Sequence, residues 1–222
     1  MSNTPPLAVD LFSGTGSLCK RATAAGYAVR SYDLLDTPLA GPLHIHDAGD
    51  IRSALMPSTS IDFLWASPPC EGFSVAAIGK SWHKDHTPKS DTARLGMELL
   101  EAAVAIIARE RPVFWCIENP RGKMRRVIDP VFAKHGITDY RRVTVTYCQY
   151  GETRMKPTDI WTNLGSWTPR PHCKNGDPCH VAAPRGARTG TQGMKSYLDK
   201  SRVPAELLDE ILAAAEMGKL FL

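Results

Sequence analysis

The chain reads as an α/β protein built on a doubly wound, mostly parallel sheet, with a small irregular C-terminal segment. Three observations predict this. Short apolar runs of strand length alternate with stretches of helical periodicity along most of the sequence. Val113-Phe-Trp-Cys-Ile117 is apolar without a break, as expected of a strand covered on both faces. Polar or small clusters fall at or near the ends of the apolar runs: Asp10 to Gly16, Asp33, Asp50, Ser67 to Cys70, and Glu118-Asn119. In open α/β sheets that is where ligands bind.

The elements follow in order. Leu7 to Phe12 is a first strand, Ser13-Gly-Thr-Gly16 a glycine turn, and Leu18 to Ala25 a helix. Tyr27 to Tyr32 is a second strand ending at Asp33, and Ile61 to Ala66 a third, stopped by Pro68-Pro69. Thr92 to Arg111 carries Leu95, Leu99, Ala102, Ala103, Ile106 and Ile107 at helical spacing and ends at Pro112. Val113 to Ile117 is a strand, Val127 to His135 a helix, and Arg142 to Tyr147 and Thr158 to Thr162 are strands. Residues 164–196 show no period, and Ala205 to Glu216 is an amphipathic helix. This divides the chain into a catalytic domain over 1–163, a basic loop region over 164–202 and a C-terminal helical segment over 203–222 that packs on the domain.

At 222 residues, 43% apolar and 23% charged, the chain can bury a core without staples and is not of disordered composition. Its longest apolar run, Ala102 to Ala108, is too short to cross a bilayer, and no signal peptide is expected from the N-terminus. Six irregularly spaced cysteines argue for a reducing compartment rather than a disulfide framework. The net charge is +4. Between Leu164 and Ser196 five basic residues (Arg170, Lys174, Arg185, Arg188, Lys195) face one acid, Asp177, so this loop region holds the whole excess and suits a polyanion.

Taken singly, the motifs are modest. A Gly-x-Gly turn after a strand lets backbone approach a nucleotide-like ligand, and an acid at the next strand end accepts ribose hydroxyls, but the third glycine of a dinucleotide fingerprint is missing. Pro68-Pro69 fixes the backbone and places the Cys70 thiol just beyond a strand end, where an electropositive mouth would ionise it. Glu118, followed by Asn119-Pro120, offers an acid for a ring nitrogen.

In combination they resemble the DNA cytosine-C5 methyltransferase family. Asp10-Leu-Phe-Ser-Gly-Thr-Gly16, Asp33, Gly49-Asp-Ile51, Ser67-Pro-Pro-Cys-Glu-Gly-Phe-Ser74, Glu118-Asn-Pro120 and Gln149-Tyr-Gly151 occur in the family's order, over roughly residues 7–163. The resemblance implies a Rossmann-like methyltransferase sheet and S-adenosylmethionine as donor. Phe12 would lie on the adenine and Gly14 and Gly16 would admit the methionine end, with Asp10, Ser13, Thr15 and Ser17 also cofactor-binding. Asp33 would take the ribose hydroxyls, Asp50 with Ile51 would hold the adenine edge, and Leu34, Ser67 and Pro69 would also be cofactor-binding. Cys70 would add to C6 of a flipped cytosine while Glu118, with Asn119, grips N3 and the exocyclic amine. Ser74, Lys80, His83 and Lys84 lie in a Phe73–Ser90 stretch similar to the family's mobile DNA-closing loop; with Arg121, Arg185 and Arg188 they are the expected contacts to double-stranded DNA.

The chain departs from the family at three points. The arginine expected after Gln149-Tyr-Gly falls near Thr158 by strict count, leaving Arg154 or Lys156 to replace it. Only residues 164–202 stand where a target-recognition domain would follow, so short or relaxed sequence recognition is expected. The closing Gly-Asn-Ser-Val motif is absent, and Pro204 to Ala215 is its candidate replacement. In these respects the sequence resembles compact phage-encoded members, implying a monomer in the cytoplasm of a bacterial or phage-infected cell, without membrane contact. His172-Cys-Lys-Asn-Gly-Asp-Pro-Cys-His180 offers Cys173 and Cys179, with His172 or His180, as zinc ligands, but the five-residue gap is not a usual spacing and an unmetallated loop is the first expectation. Other readings are the same chemistry on RNA or a free cytosine nucleotide, transfer of a modified group, or an idle DNA-binding protein.

Overall fold

The computed structural model describes residues 4–174, 176–182 and 200–221. Seven strands form one sheet: β1 (Leu7–Leu11), β2 (Ala28–Asp33), β3 (His44–Ala48), β4 (Phe63–Ala66), β5 (Phe114–Pro120), β6 (Arg141–Thr146) and β7 (Pro157–Thr162). Their spatial order is β3-β2-β1-β4-β5-β7-β6. Strands β1 to β5 pair in parallel, and β7 runs antiparallel to both β5 and β6. Among the described residues the helices are α1 (Ser17–Ala24), α2 (Ile78–Ser81), α3 (Asp91–Glu110), α4 (Ile128–Lys134) and α5 (Ala205–Lys219). The chain order reverses beside β1, so the carboxyl ends of β1 and β4 part and leave a crevice.

Alternation along the strands divides the core in two. Val9, Leu11, Leu64, Trp115 and Ile117 pack with α3 and α4 on one face. Ala8, Phe63, Trp65, Phe114 and Cys116 pack with α1 and α5 on the other. Residues 114–119 of β5 are all buried, Phe114 to Ile117 as the apolar run requires and Glu118 and Asn119 beyond it. The α5 helix is held to α1 by the Arg21–Asp209 pair at 2.6 Å and to the preceding irregular segment by Arg170, which reaches Glu206 and Glu210. No described helix is long and apolar enough to cross a membrane.

Strand β3 has no counterpart in the sequence reading. His44-Ile-His-Asp-Ala48 is a short edge strand whose ladder partner is β2 alone, so it needs no apolar alternation; Ser31 Oγ instead meets ring nitrogens of His44 and His46 at 2.7 and 2.9 Å. The strand β5 also runs three residues further than the apolar run, so Glu118 and Asn119 lie within the ladder, paired with Ile160 and Asp159 of β7.

The antiparallel strand depends on a buried charge. Asp159, fully buried in β7, accepts both prongs of the Arg125 guanidinium and the Thr144 hydroxyl of β6 at 2.8 Å. The Asp159→Ala variant leaves the Arg125 guanidinium without its carboxylate, with the Thr144 hydroxyl alone to bond, and we expect a loss of about 3 kcal/mol of stability. Denaturant titration of the purified variant, read by circular dichroism, checks this; a change under ~0.5 kcal/mol is inconsistent with the assigned role.

Candidate active site

The carboxyl ends of β1, β2, β4 and β5 open into a cavity of about 340 Å³. Asp10, Phe12, Ser13, Gly14, Thr15 and Ser17 line it from the first turn, Asp33 and Leu34 from the end of β2, and Asp50 and Ile51 from beyond β3. Trp65, Ser67, Pro69, Cys70, Glu118 and Lys156 form the far end, and Ser201 and Val203 close a side.

The first turn is wound against the grain of L-residues. Phe12, Gly14 and Gly16 take φ values of 66°, 47° and 66°. Only glycine tolerates this cheaply, so Phe12 is held by force: its N–H and that of Ser13 both donate to the Tyr32 carbonyl, at 2.8 and 3.2 Å. The Asp33 carboxylate accepts from the Gly14 N–H at 2.9 Å and the Leu35 N–H at 3.0 Å, tying the turn to the end of β2. Ser13 and Thr37 share a hydroxyl bond at 2.7 Å, and Gly16 is packed so closely that a Cβ would sit 3.1 Å from the Thr37 methyl. Asp50 caps the Arg52 N–H and grips the Arg52 guanidinium, which holds its carboxyl below the usual range. Asp10, by contrast, is raised to about 7 by burial, with Asp33 adding to the shift and the Cys19 thiol, donating at 3.2 Å, opposing it.

Two arms meet at the deep end. The register Ala66↔Ile117 sets the end of β4 beside Glu118. The Asn119 amide donates to the Pro68 carbonyl at 2.8 Å, clasping the Pro-Pro-Cys turn to β5. Further out the Lys123 N–H donates to the Phe73 carbonyl at 2.8 Å, and Gly122 passes so close that a Cβ would lie 2.3 Å from that oxygen. Glu118 is 5% exposed and accepts the Tyr147 hydroxyl at 3.0 Å. The Lys156 ammonium rests 4.6 Å from the Tyr147 ring centre and donates to the Lys200 carbonyl at 3.0 Å.

Burial pushes the Cys70 thiol up to about 11; Glu71 and Glu118 reinforce the shift and Lys156 opposes it. The mouth that the sequence suggested as electropositive is therefore net acidic around this sulfur, because two carboxylates outweigh one ammonium.

A family model for C-5 cytosine-specific DNA methylases matches residues 8–126, more than half the chain. The chain belongs to this family. A relative named DNA (cytosine-5)-methyltransferase, from Frog virus 3 (isolate Goorha), is 30% identical over 92% of this chain and 97% of its own. Among solved structures, a DNA modification methyltransferase encoded within a prophage (E. coli) superposes with a TM-score of 0.53 at 20% identity, over 71% of this chain. This chain spans 46% of that protein's length, and the likeness shows the shared methyltransferase fold.

Within this methylase the cavity gathers the expected cofactor residues apart from Gly16, which supports the turn from behind. The deep end brings Cys70, Glu118 and Lys156 together, while Asn119 acts on the Pro68 turn and does not line the cavity. Arg154 is buried outside it, 3.6 Å from Glu152, so Lys156 is the cation that faces Cys70. Lys80, His83, Lys84 and Arg121 are exposed and Ser74 half-buried. The Phe73–Ser90 stretch is anchored in this structure: Phe73 and Trp82 are core residues, and the Trp82 indole donates to the Gly72 carbonyl at 2.6 Å. Arg185 and Arg188 lie outside the described residues. Trp65 and Tyr147 went unnoticed in the sequence because each reads as an ordinary strand aromatic. Cys148 went unnoticed because its partners are far along the chain; with Cys173, Cys179 and His180 it forms a tight cluster.

The charge balance at Cys70 has a measurable consequence. In the free protein, alkylation of Cys70 by iodoacetamide, followed by peptide mass spectrometry, should rise about tenfold per pH unit from 7 to 9. Glu118→Gln should speed it at pH 8 and Lys156→Met slow it. A pH-independent rate would contradict the raised thiol.

Proposed function

We propose that this methylase transfers a methyl group to C5 of a cytosine flipped out of double-stranded DNA, through a covalent adduct with Cys70. The observation that carries the reading is the clasp of the Cys70 turn to the Glu118 strand beside a cavity lined by carboxylates. The cavity fits S-adenosylmethionine: Asp10, Asp33 and Asp50 suit a cationic donor, and Phe12, Leu34 and Ile51 give apolar walls for an adenine. When bound, the donor supplies an electrophilic methyl group.

The chain's residues then divide the work. Glu118, steadied by the Tyr147 hydroxyl, engages N3 and the exocyclic amine and draws electrons from the ring. Cys70 loses its proton to solvent, its thiolate steadied by the Lys156 ammonium, and its sulfur bonds to C6. C5 gains electron density and takes the methyl group. Loss of the C5 proton to solvent lets its electron pair re-form the C5–C6 double bond, while the S–C6 pair leaves with the sulfur, freeing Cys70 as a thiolate that regains a proton from solvent. The exposed Lys80, His83, Lys84 and Arg121, with Ser74, are proposed phosphate contacts, as are Arg185 and Arg188. Short or relaxed sequence recognition is part of this proposal, because only residues 164–202 stand where base-reading side chains would be mounted.

Nucleoside mass spectrometry of unmethylated duplex DNA, incubated with the protein and S-adenosylmethionine, should show 5-methylcytosine. Cys70→Ser should abolish the product while retaining duplex binding, and Glu118→Gln should slow it by roughly 10²–10⁴-fold. Undiminished product with Cys70→Ser would remove the adduct; product on RNA alone would move the substrate.

A further inference from the structure

The cluster of Cys148, Cys173, Cys179 and His180 lies outside the cavity, and the methyl-transfer chemistry has no use for it. Their ligand atoms all fall within 4.8 Å of one another. The Cys179 sulfur is 3.2 Å from that of Cys173 and 3.7 Å from that of Cys148, and His180 Nδ1 is 3.3 Å from Cys173 Sγ and 3.8 Å from Cys179 Sγ. Ligands of a tetrahedral zinc with metal–sulfur bonds of about 2.3 Å stand roughly 3.8 Å apart, so these side chains need only small adjustments.

We propose that Cys148, Cys173 and Cys179, through their sulfurs, and His180, through Nδ1, bind a structural Zn²⁺ ion. The donor set is that of closed, four-coordinate zinc sites, with no position left for a substrate. Its surroundings suit a metal. The Gln149 side-chain amide donates to Cys179 Sγ at 3.3 Å, a bond that a zinc-bound thiolate accepts well. The Cys173 N–H donates to Thr146 Oγ1 at 3.0 Å, and the Val181 N–H to the Thr153 carbonyl at 2.8 Å, fixing the loop from both sides. Asp177 closes the turn between the two cysteines by accepting the Lys174 N–H at 2.6 Å. His172 is turned away from the cluster, with Nδ1 against the Cys173 carbonyl at 2.7 Å.

The loop needs such an anchor. Between Trp167 and Ala182 the one buried residue among those described is Cys173. A segment that buries one thiol and no large apolar side chain has little hydrophobic reason to hold a single shape, and a metal supplies the missing core. The ion would weld this loop to the turn after β6, in which Cys148 directly follows Tyr147.

Native mass spectrometry and elemental analysis of the purified protein should find about one zinc per chain, and Co²⁺ exchange should give the absorption of tetrahedral thiolate coordination. Cys148→Ser, Cys173→Ser, Cys179→Ser and His180→Ala should each lose most of the zinc, whereas His172→Ala should keep it. Chelation should lower the melting temperature of the wild-type protein and not that of Cys173→Ser. Zinc well below stoichiometry in wild-type protein, equal zinc in all variants, or a Cys173–Cys179 disulfide in freshly purified protein would each overturn the site.

Discussion

One hydrogen bond, from the Asn119 amide to the Pro68 carbonyl, joins the two halves of the site. The turn that carries Cys70 leaves the sheet after β4, and Pro68-Pro69 stiffens it without choosing its direction. Asn119 chooses it. Its side chain is almost fully buried, so the bond works without competition from water, and leaving the Pro68 oxygen unmet there would cost about 1–3 kcal/mol. The parallel pairing of β4 with β5 brings Asn119 within reach, and the Lys123–Phe73 backbone bond repeats the clasp one turn further out. Sheet register thereby becomes the placement of a thiol beside an acid.

The same closeness sets an electrostatic problem. A partly buried sulfur beside Glu71 and Glu118 resists ionisation, and Lys156 offsets this only in part. A resting thiol is protected from oxidation and stray alkylation, because the thiolate is the reactive form. An acidic cavity also favours a cation over an anion, and Asp10, Asp33 and Asp50 extend that preference to the far wall. Any group that brings positive charge toward Cys70 lowers the cost of the thiolate, so occupancy of the cavity and readiness of the nucleophile are physically linked.

Most of the first five strands and their polar ends could be read from the sequence, because parallel strands covered on both faces must be apolar and their ligand residues must interrupt that pattern. Edge strand β3 could not, since half-exposed His44 to Ala48 carries no such pattern. Of the residues that reach the site through the β6–β7 hairpin, Tyr147 was equally hidden, and Lys156 was one of two candidates that the sequence could not separate. Tyr147 and Lys156 are the first and last residues of a ten-residue excursion closed by the pairing Thr146↔Pro157, and nothing in their spacing announces it. Strict counting along the family motif falls near Thr158, a buried strand residue, which leaves Arg154 or Lys156 as the candidate cation; of these, Lys156 stands at the strand's entrance and lines the cavity. The Cys/His cluster was half visible, as Cys173, Cys179 and His180 are local, while Cys148 joins them through folding alone.

The C-terminal residues show how a short chain can complete a pocket that its sheet leaves open. Ser201 and Val203 line the cavity, the Val203 N–H faces Ser17 Oγ at 3.4 Å, and the Lys200 carbonyl accepts Lys156. Those contacts need the 200–203 segment held across the mouth. The α5 helix provides this by packing Leu207, Leu208, Ile211 and Leu212 into the core face shared with α1, and by the Arg21–Asp209 pair at its flank. Apolar burial of that order outweighs the exposed ion pairs by several kcal/mol. The wall of the cavity is therefore fixed by hydrophobic packing more than 180 residues along the chain from the first turn that it faces, with Arg170 binding the intervening loop region to the same helix.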